Sequence, residues 1–278
     1  MLTQRQLDEP TGGKFPQTHQ MPWLVWHRFL EPANAIGFTD HAPFHELTQM
    51  PDHPPPPPIP VWDLPLRLFH WILVGVIPIS WLTAEAGIEW MQVHTWVGLL
   101  ALALLVFRLL WGFWGTPTAR FVQFVRGPKA AAGYARGLLH GREAHRIGHN
   151  PLGAYMVLLL LVLVAIQAAT GLFSSDDIFI EGPLAGYLGS DARDFVTSWH
   201  HFNFNLLIAA IGVHIAAALW YWIVRKNNLI GPMVTGHSRD PQLEAPVQHQ
   251  PRMQPRMWSR ALLCALVSAL LAAGINQL

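Results

Sequence analysis

From about Leu66 onward the chain alternates between long apolar stretches and polar connections. The apolar stretches run from about Leu66 to Thr83, Met91 to Phe113, Leu152 to Phe173, Trp199 to Ile223, and Arg260 to Ile275. A helix needs about 20 apolar residues to cross roughly 30 Å of hydrocarbon. The first four stretches meet that length and predict membrane-spanning helices. The fifth is shorter, and predicts either a fifth spanning helix or one lying in the interface. Pro78 falls inside the first span, where neighbouring helices can rebond the freed carbonyl. Asn150-Pro151 predicts the start of the third, with Asn as N-cap and Pro at the first helical position. Aromatic residues near the span ends (Trp62, Trp90, Trp114, Tyr155, Trp199, Trp222) mark an interfacial belt.

Composition agrees with the pattern. The 278 residues are 51% hydrophobic and only 13% charged, against about a quarter charged in soluble domains. A formal net charge of +1 offers nothing for nucleic acid to recognise. The single cysteine, Cys264, excludes a disulfide framework and a CxxC metal site within the chain. With no CxxCH, any haem would be held without covalent attachment.

Three regions are expected. Residues 1–60 form a Pro- and His-rich extension ending in Pro54-Pro55-Pro56-Pro57-Pro58-Ile59-Pro60, a run that favours extended polyproline II. Met1 to Pro10 carries no apolar segment of a signal peptide, so this extension is expected to be disordered and to remain in the cytoplasm, with Trp23 to Phe29 as an aromatic patch within it. Residues 61–238 hold the four long spans, and 239–278 a linker and the last helix.

Charge in the connections sets orientation. Between spans two and three lie Arg120, Arg126, Lys129, Arg136, Arg142 and Arg146 against Glu143. Between spans three and four lie Asp176, Asp177, Glu181, Asp191 and Asp194 against Arg193. The positive-inside rule puts the basic connection and the amino terminus in the cytoplasm. The chain is thus expected to be a multi-pass protein of a bacterial inner membrane, in contact with lipid.

Of 15 histidines, most lie in polar segments, among them His140, His145, His149, His237 and His249, where a solvated side chain is expected. Four differ. His70, His94, His200 and His214 lie within or at the ends of spans, where ionisable groups are costly and mark function. His200 and His214 are about 40° apart around one helix and about 21 Å apart along it. Adjacent His201 lies some 140° from His214 and competes less well. With span one entering from inside and span two from outside, His94 shares a depth with His200, and His70 with His214. Two imidazoles on facing helices suit the axial positions of a haem iron. Zinc would draw more ligands together. Gly98, four residues after His94, leaves room for a macrocycle. Arg67 and Arg108 are placed to pair with haem propionates, snorkelling to the interface being the other expectation for both. Span three carries no histidine and is expected to serve as packing.

The stretch Val61-Trp62-Asp63-Leu64-Pro65-Leu66-Arg67-Leu68-Phe69-His70-Trp71 resembles the bacterial cytochrome b561 and Ni,Fe-hydrogenase b-type cytochrome family. The likeness continues in His94-Thr95-Trp96-Val97-Gly98, Phe107 to Gly112, Gly148-His149-Asn150-Pro151-Leu152-Gly153, His200 to Asn205 with His214, and Met233-Val234-Thr235-Gly236. It covers about residues 61–238. The resemblance implies two b-type haems bound by His70, His94, His200 and His214, and electron exchange between the quinone pool and a redox partner. His201 departs from the family, which often has an acidic residue after the ligand.

The expected fold is therefore an all-α membrane protein: a four-helix transmembrane bundle holding two haems, with a fifth helix at its carboxyl end. The expected function is that of a di-haem cytochrome b, an electron-transfer subunit and an oxidoreductase in the broad sense, without a separate catalytic constellation. Its partners would be quinone and a periplasmic c-type cytochrome or hydrogenase, with a homodimer conceivable. A rival of the same fold oxidises superoxide or another small donor and reduces quinone. A rival of another class is a transporter or metal-binding assembly protein without haem.

Overall fold

A computed structural model describes residues 58–141, 147–175, 180–240 and 255–277. The amino-terminal extension with Trp23 to Phe29, and loop residues such as Arg142, His145, Asp176, Asp177, His249 and Arg252, lie outside the described residues.

Strand β1 (Ile59–Pro60) leads into α1 (Leu64–Glu85), then α2 (Met91–Trp114), short α3 (Phe121–Phe124) and α4 (Pro128–Leu139). Then come α5 (Pro151–Phe173), α6 (Ser190–Ile223), short α7 (Ile230–Thr235), β2 (His237–Ser238) and α8 (Pro255–Ile275). Five of these helices are long and apolar enough to cross a membrane. The protein is an all-α membrane bundle, as expected. Large apolar side chains such as Leu68, Val74, Leu82, Val162, Val213 and Leu266 stand exposed on its outside, where a bilayer would solvate them.

Helix starts follow local chemistry. The Asp63 carboxylate caps α1 by accepting from the Leu66 N–H at 2.7 Å, with Pro65 in the first turn. Asn150 caps α5 by accepting from the Gly153 N–H at 2.8 Å, with Pro151 following. Asp63 is itself buried and shares its oxygens with Trp111 Nε1 and Thr116 Oγ1. It thereby ties the start of α1 to the end of α2.

Helix α6 has 34 residues, nine more than its apolar stretch predicts. Ser190 to Ser198 is polar but contains neither Pro nor Gly, so nothing stops the helix at the membrane surface.

The helices pack in series, α1 on α2, α2 on α5 and α5 on α6, while α8 lies along α2. The α8 face that buries itself is Met257, Ala261, Cys264, Ser268 and Ala272. Small residues at this spacing let two helix backbones approach closely in lipid. Packing of this kind along a spanning helix suits a fifth span better than an interfacial helix.

The two ends of the four-span unit are clipped together. Strand β1 pairs antiparallel with β2, and the Val61 N–H donates to the Gly236 carbonyl at 2.8 Å. Arg67 Nη2 donates to the Val234 carbonyl at 2.5 Å and Trp71 Nε1 to that of Met233 at 3.0 Å. Gly236 turns at φ +88°, and a Cβ there would stand 2.7 Å from Arg67 Nη1.

Candidate functional site

At the end of the bundle where α1 finishes and α2 begins, helices α1, α2, α5 and α6 surround a cavity of about 500 Å³, within the range of cofactor sites. Its wall is mostly apolar, with Ser80, Glu85, Thr95 and Gln167 among the polar groups beside the histidines. His94 from α2 and His200 from α6 face one another across it, ring centres 6.2 Å apart and planes at 82°.

Both rings are held by their neighbours' backbones. His94 Nδ1 donates to the Ser80 carbonyl of α1 at 2.8 Å, and His200 Nδ1 to the Gln167 carbonyl of α5 at 3.0 Å. A carbonyl can only accept, so each Nδ1 is the donor, and Nε2 is the nitrogen left for ligation. That arrangement suits ligation through Nε2. Two imidazoles bonded to one metal at about 2 Å each place their ring centres roughly 6 Å apart. The observed spacing fits.

Helix α5 does more than pack. A Cβ on Gly171 would stand 2.9 Å from His200 Cε1, so the ring occupies space that only glycine leaves open. Asn203, 1% exposed, donates to the Leu163 carbonyl and to Gln167 Oε1, and the Gln167 amide meets His200 Nε2 at 3.1 Å. A metal at that nitrogen requires the amide to turn aside. Gly98 also lines the cavity, and a Cβ there would meet nothing within 4 Å.

His201 reaches the cavity edge but is exposed, with its ring centre 6.1 Å from that of His200. His200 is the one that faces His94.

At the other end, His70 and His214 lie within electrostatic reach of each other. Their partners differ from those of the first pair. His70 Nδ1 is buried without a hydrogen-bond acceptor, and its ring stands edge-on to Trp71 at 5.0 Å.

His149 joins this end, which corrects the expectation of a solvated side chain. Its ring sits between Trp62 and Phe124, 4.7 Å from each ring centre, with Nδ1 buried and unpartnered. Burial pushes its pKa down to about 3, and nearby Arg108, His214 and His70 add to the effect. The imidazole is therefore neutral at ordinary pH. Neither Trp62 nor Phe124 is near it in sequence, so only the composition of the loop was visible there.

The two arginines part ways. Arg67 is bound to the Val234 carbonyl and helps hold the clip, a third role beyond the two expected of it. Arg108 is 2% exposed, its guanidinium 4.6 Å over the Phe121 ring, and its Nη1 and Nη2 have no hydrogen-bond partner. A buried cation with idle donors is costly unless an anion meets it. Haem brings two carboxylates, so the residues at this end also fit that group.

Among the described residues, no three or more of His, Cys, Asp and Glu gather as a protein-only metal cage would need.

Comparison with known proteins agrees with this chemistry. The model of the prokaryotic cytochrome b561 family matches residues 61–236. A probable Ni/Fe-hydrogenase B-type cytochrome subunit of Rhizobium leguminosarum bv. viciae is 24% identical over 213 residues, 63% of this chain and 87% of the relative. Another so described, of Azotobacter vinelandii, is 26% identical over 213 residues, 63% of this chain and 86% of the relative. No solved structure matches the chain. With more than half its length matched and histidines paired across a helical cavity, the chain belongs to the prokaryotic cytochrome b561 family and is a membrane b-type cytochrome of electron transfer.

Proposed function

We propose that the chain is a di-haem cytochrome carrying electrons between a redox partner outside the cytoplasmic membrane and the quinone pool. His94 and His200 hold one haem near the outer surface, and His70 and His214 hold the other near the inner. The observation that carries this reading is the His94–His200 pair, facing across a cavity with each Nδ1 donated to a backbone carbonyl.

Haem supplies one-electron chemistry when bound. The chain's own residues orient the His94 and His200 rings through backbone carbonyls and set the idle Nη donors of Arg108 at the second site. A haem held by two of these imidazoles would serve electron transfer rather than oxygen chemistry. The amino terminus faces the cytoplasm, as the basic connection between α2 and α5 argues. The relatives' description as hydrogenase cytochrome subunits favours a hydrogenase as partner, with a periplasmic c-type cytochrome as the other candidate.

Reduced-minus-oxidised spectra and haem quantification of the purified protein test this. Two haems per chain are expected, with His200→Ala and His94→Ala each losing one and His70→Ala and His214→Ala each losing the other. Absence of b-type bands, or two haems remaining in His200→Ala, would overturn it.

A further inference from the structure

Among the described residues, the buried nitrogens without an acceptor include Nη1 and Nη2 of Arg108, Nδ1 of His149 and Nδ1 of His70, with the Nε of Arg67 and of Arg120 besides. Asp63 is, among the described residues, the acid that attracts the Arg108 guanidinium. Its oxygens are already taken by the Leu66 N–H, Trp111 Nε1 and Thr116 Oγ1. Folding therefore gathers donors and positive charge around a place where, among the described residues, no acceptor meets them. Burial in this form is strongly unfavourable, and an anionic acceptor from outside the chain relieves it.

His149 is built into this place. Gly148 turns at φ +82°, a left-handed conformation that favours glycine, and brings the chain against the Trp62 ring. Trp62 and Phe124 then flank the imidazole. Phe124 is in ring contact with Phe121, which lies beneath the Arg108 guanidinium. Arg108, His214 and His70 all lie within electrostatic reach of His149.

We propose that His149 and Arg108 jointly receive a carboxylate of the haem held by His70 and His214, so that His149 is a cofactor-binding residue. The proposal rests on the ligand assignment of the preceding subsection. A carboxylate is favoured over a neutral carbonyl, such as that of a quinone, because a carbonyl would satisfy an N–H but leave the guanidinium charge uncompensated. A neutral His149 donates one N–H, and Arg108 supplies the charge.

The test uses the full chain produced without haem and carrying His200→Ala, so that binding at the second site is read alone. It is titrated with haem and with haem dimethyl ester, whose carboxylates are blocked, and binding is followed by the bis-imidazole absorption bands. With Arg108 and His149 intact, haem is expected to bind at least about tenfold more tightly than the ester, as for loss of a charge-assisted hydrogen bond. Adding His149→Ala should shrink that preference severalfold, His149→Gln should restore part of it, and Arg108→Gln should shrink it most. If His149→Ala weakens haem and ester equally, the residue serves packing and the proposal is overturned. It is equally overturned if the preference is unchanged, including the case where only quinol-dependent reduction falls, which would assign His149 to quinone. A chain with no b-type bands before any substitution fails the ligand assignment instead.

Discussion

Gly171 and His200 share one slot: the imidazole of α6 lies where a side chain on α5 would begin, 2.9 Å from a Cβ placed there. Contacts that short are not relieved by the backbone of a packed helix, so the ring itself must move. Gly171→Val is expected to displace His200 from His94 and remove one haem while leaving the helical content unchanged. Gly171→Ala should do so in part. Haem quantification beside circular dichroism checks both.

Asp63 caps α1 and accepts from two side chains of the far end of α2 and the segment after it. Asp63→Ala removes a helix cap, about 1 kcal/mol. It also strands the buried donors of Trp111 and Thr116, about 1–3 kcal/mol each. A fall of several degrees in the thermal unfolding midpoint in detergent is expected, larger than for Asn150→Ala, which loses the cap of α5 and a contact with Tyr221.

Gly236→Ala should loosen the clip. The residue sits at φ +88° with no room on its Arg67 side, and a left-handed conformation alone costs a residue with a Cβ about 1–2 kcal/mol. The expected sign is a lower unfolding midpoint and faster proteolysis after residue 236, measured on the purified chain.

His149 has a sign that can be worked out. Its pKa falls from 6.5 unfolded to about 3 folded, so between those values the unfolded chain binds the extra proton. Stability of the haem-free chain should therefore decline as pH drops below about 6.5, by at most about 1.4 kcal/mol per pH unit from this group. His149→Gln should show a flatter decline over the same window, read by thermal unfolding at a series of pH values.

The spans and the closeness of His94 to His200 were legible because lipid imposes a length and the order of crossing sets each residue's depth. Asn150-Pro151 was legible because capping is local. What escaped are features that depend on a second helix. Gln167, Thr170 and Gly171 stand at i, i+3 and i+4 on one face of α5, but what that face meets exists only once α6 lies alongside. His149 looked like one more loop histidine, since Trp62 and Phe124, which bury it, arrive from elsewhere in the chain. The first turns of α6 escaped for another reason: hydropathy registers what lipid covers, and Ser190 to Ser198 is polar helix beyond it.

Because β1 meets β2 and Val61 meets Gly236, the segment before residue 59 and the segment after residue 238 depart from one corner of the helical unit. The unit thus behaves as a cassette with a single doorway. The carboxyl-terminal flank comes back as α8 along α2, so a change there reaches a histidine-bearing helix, whereas the seams of α1 with α2 and of α5 with α6 lie wholly within the clip.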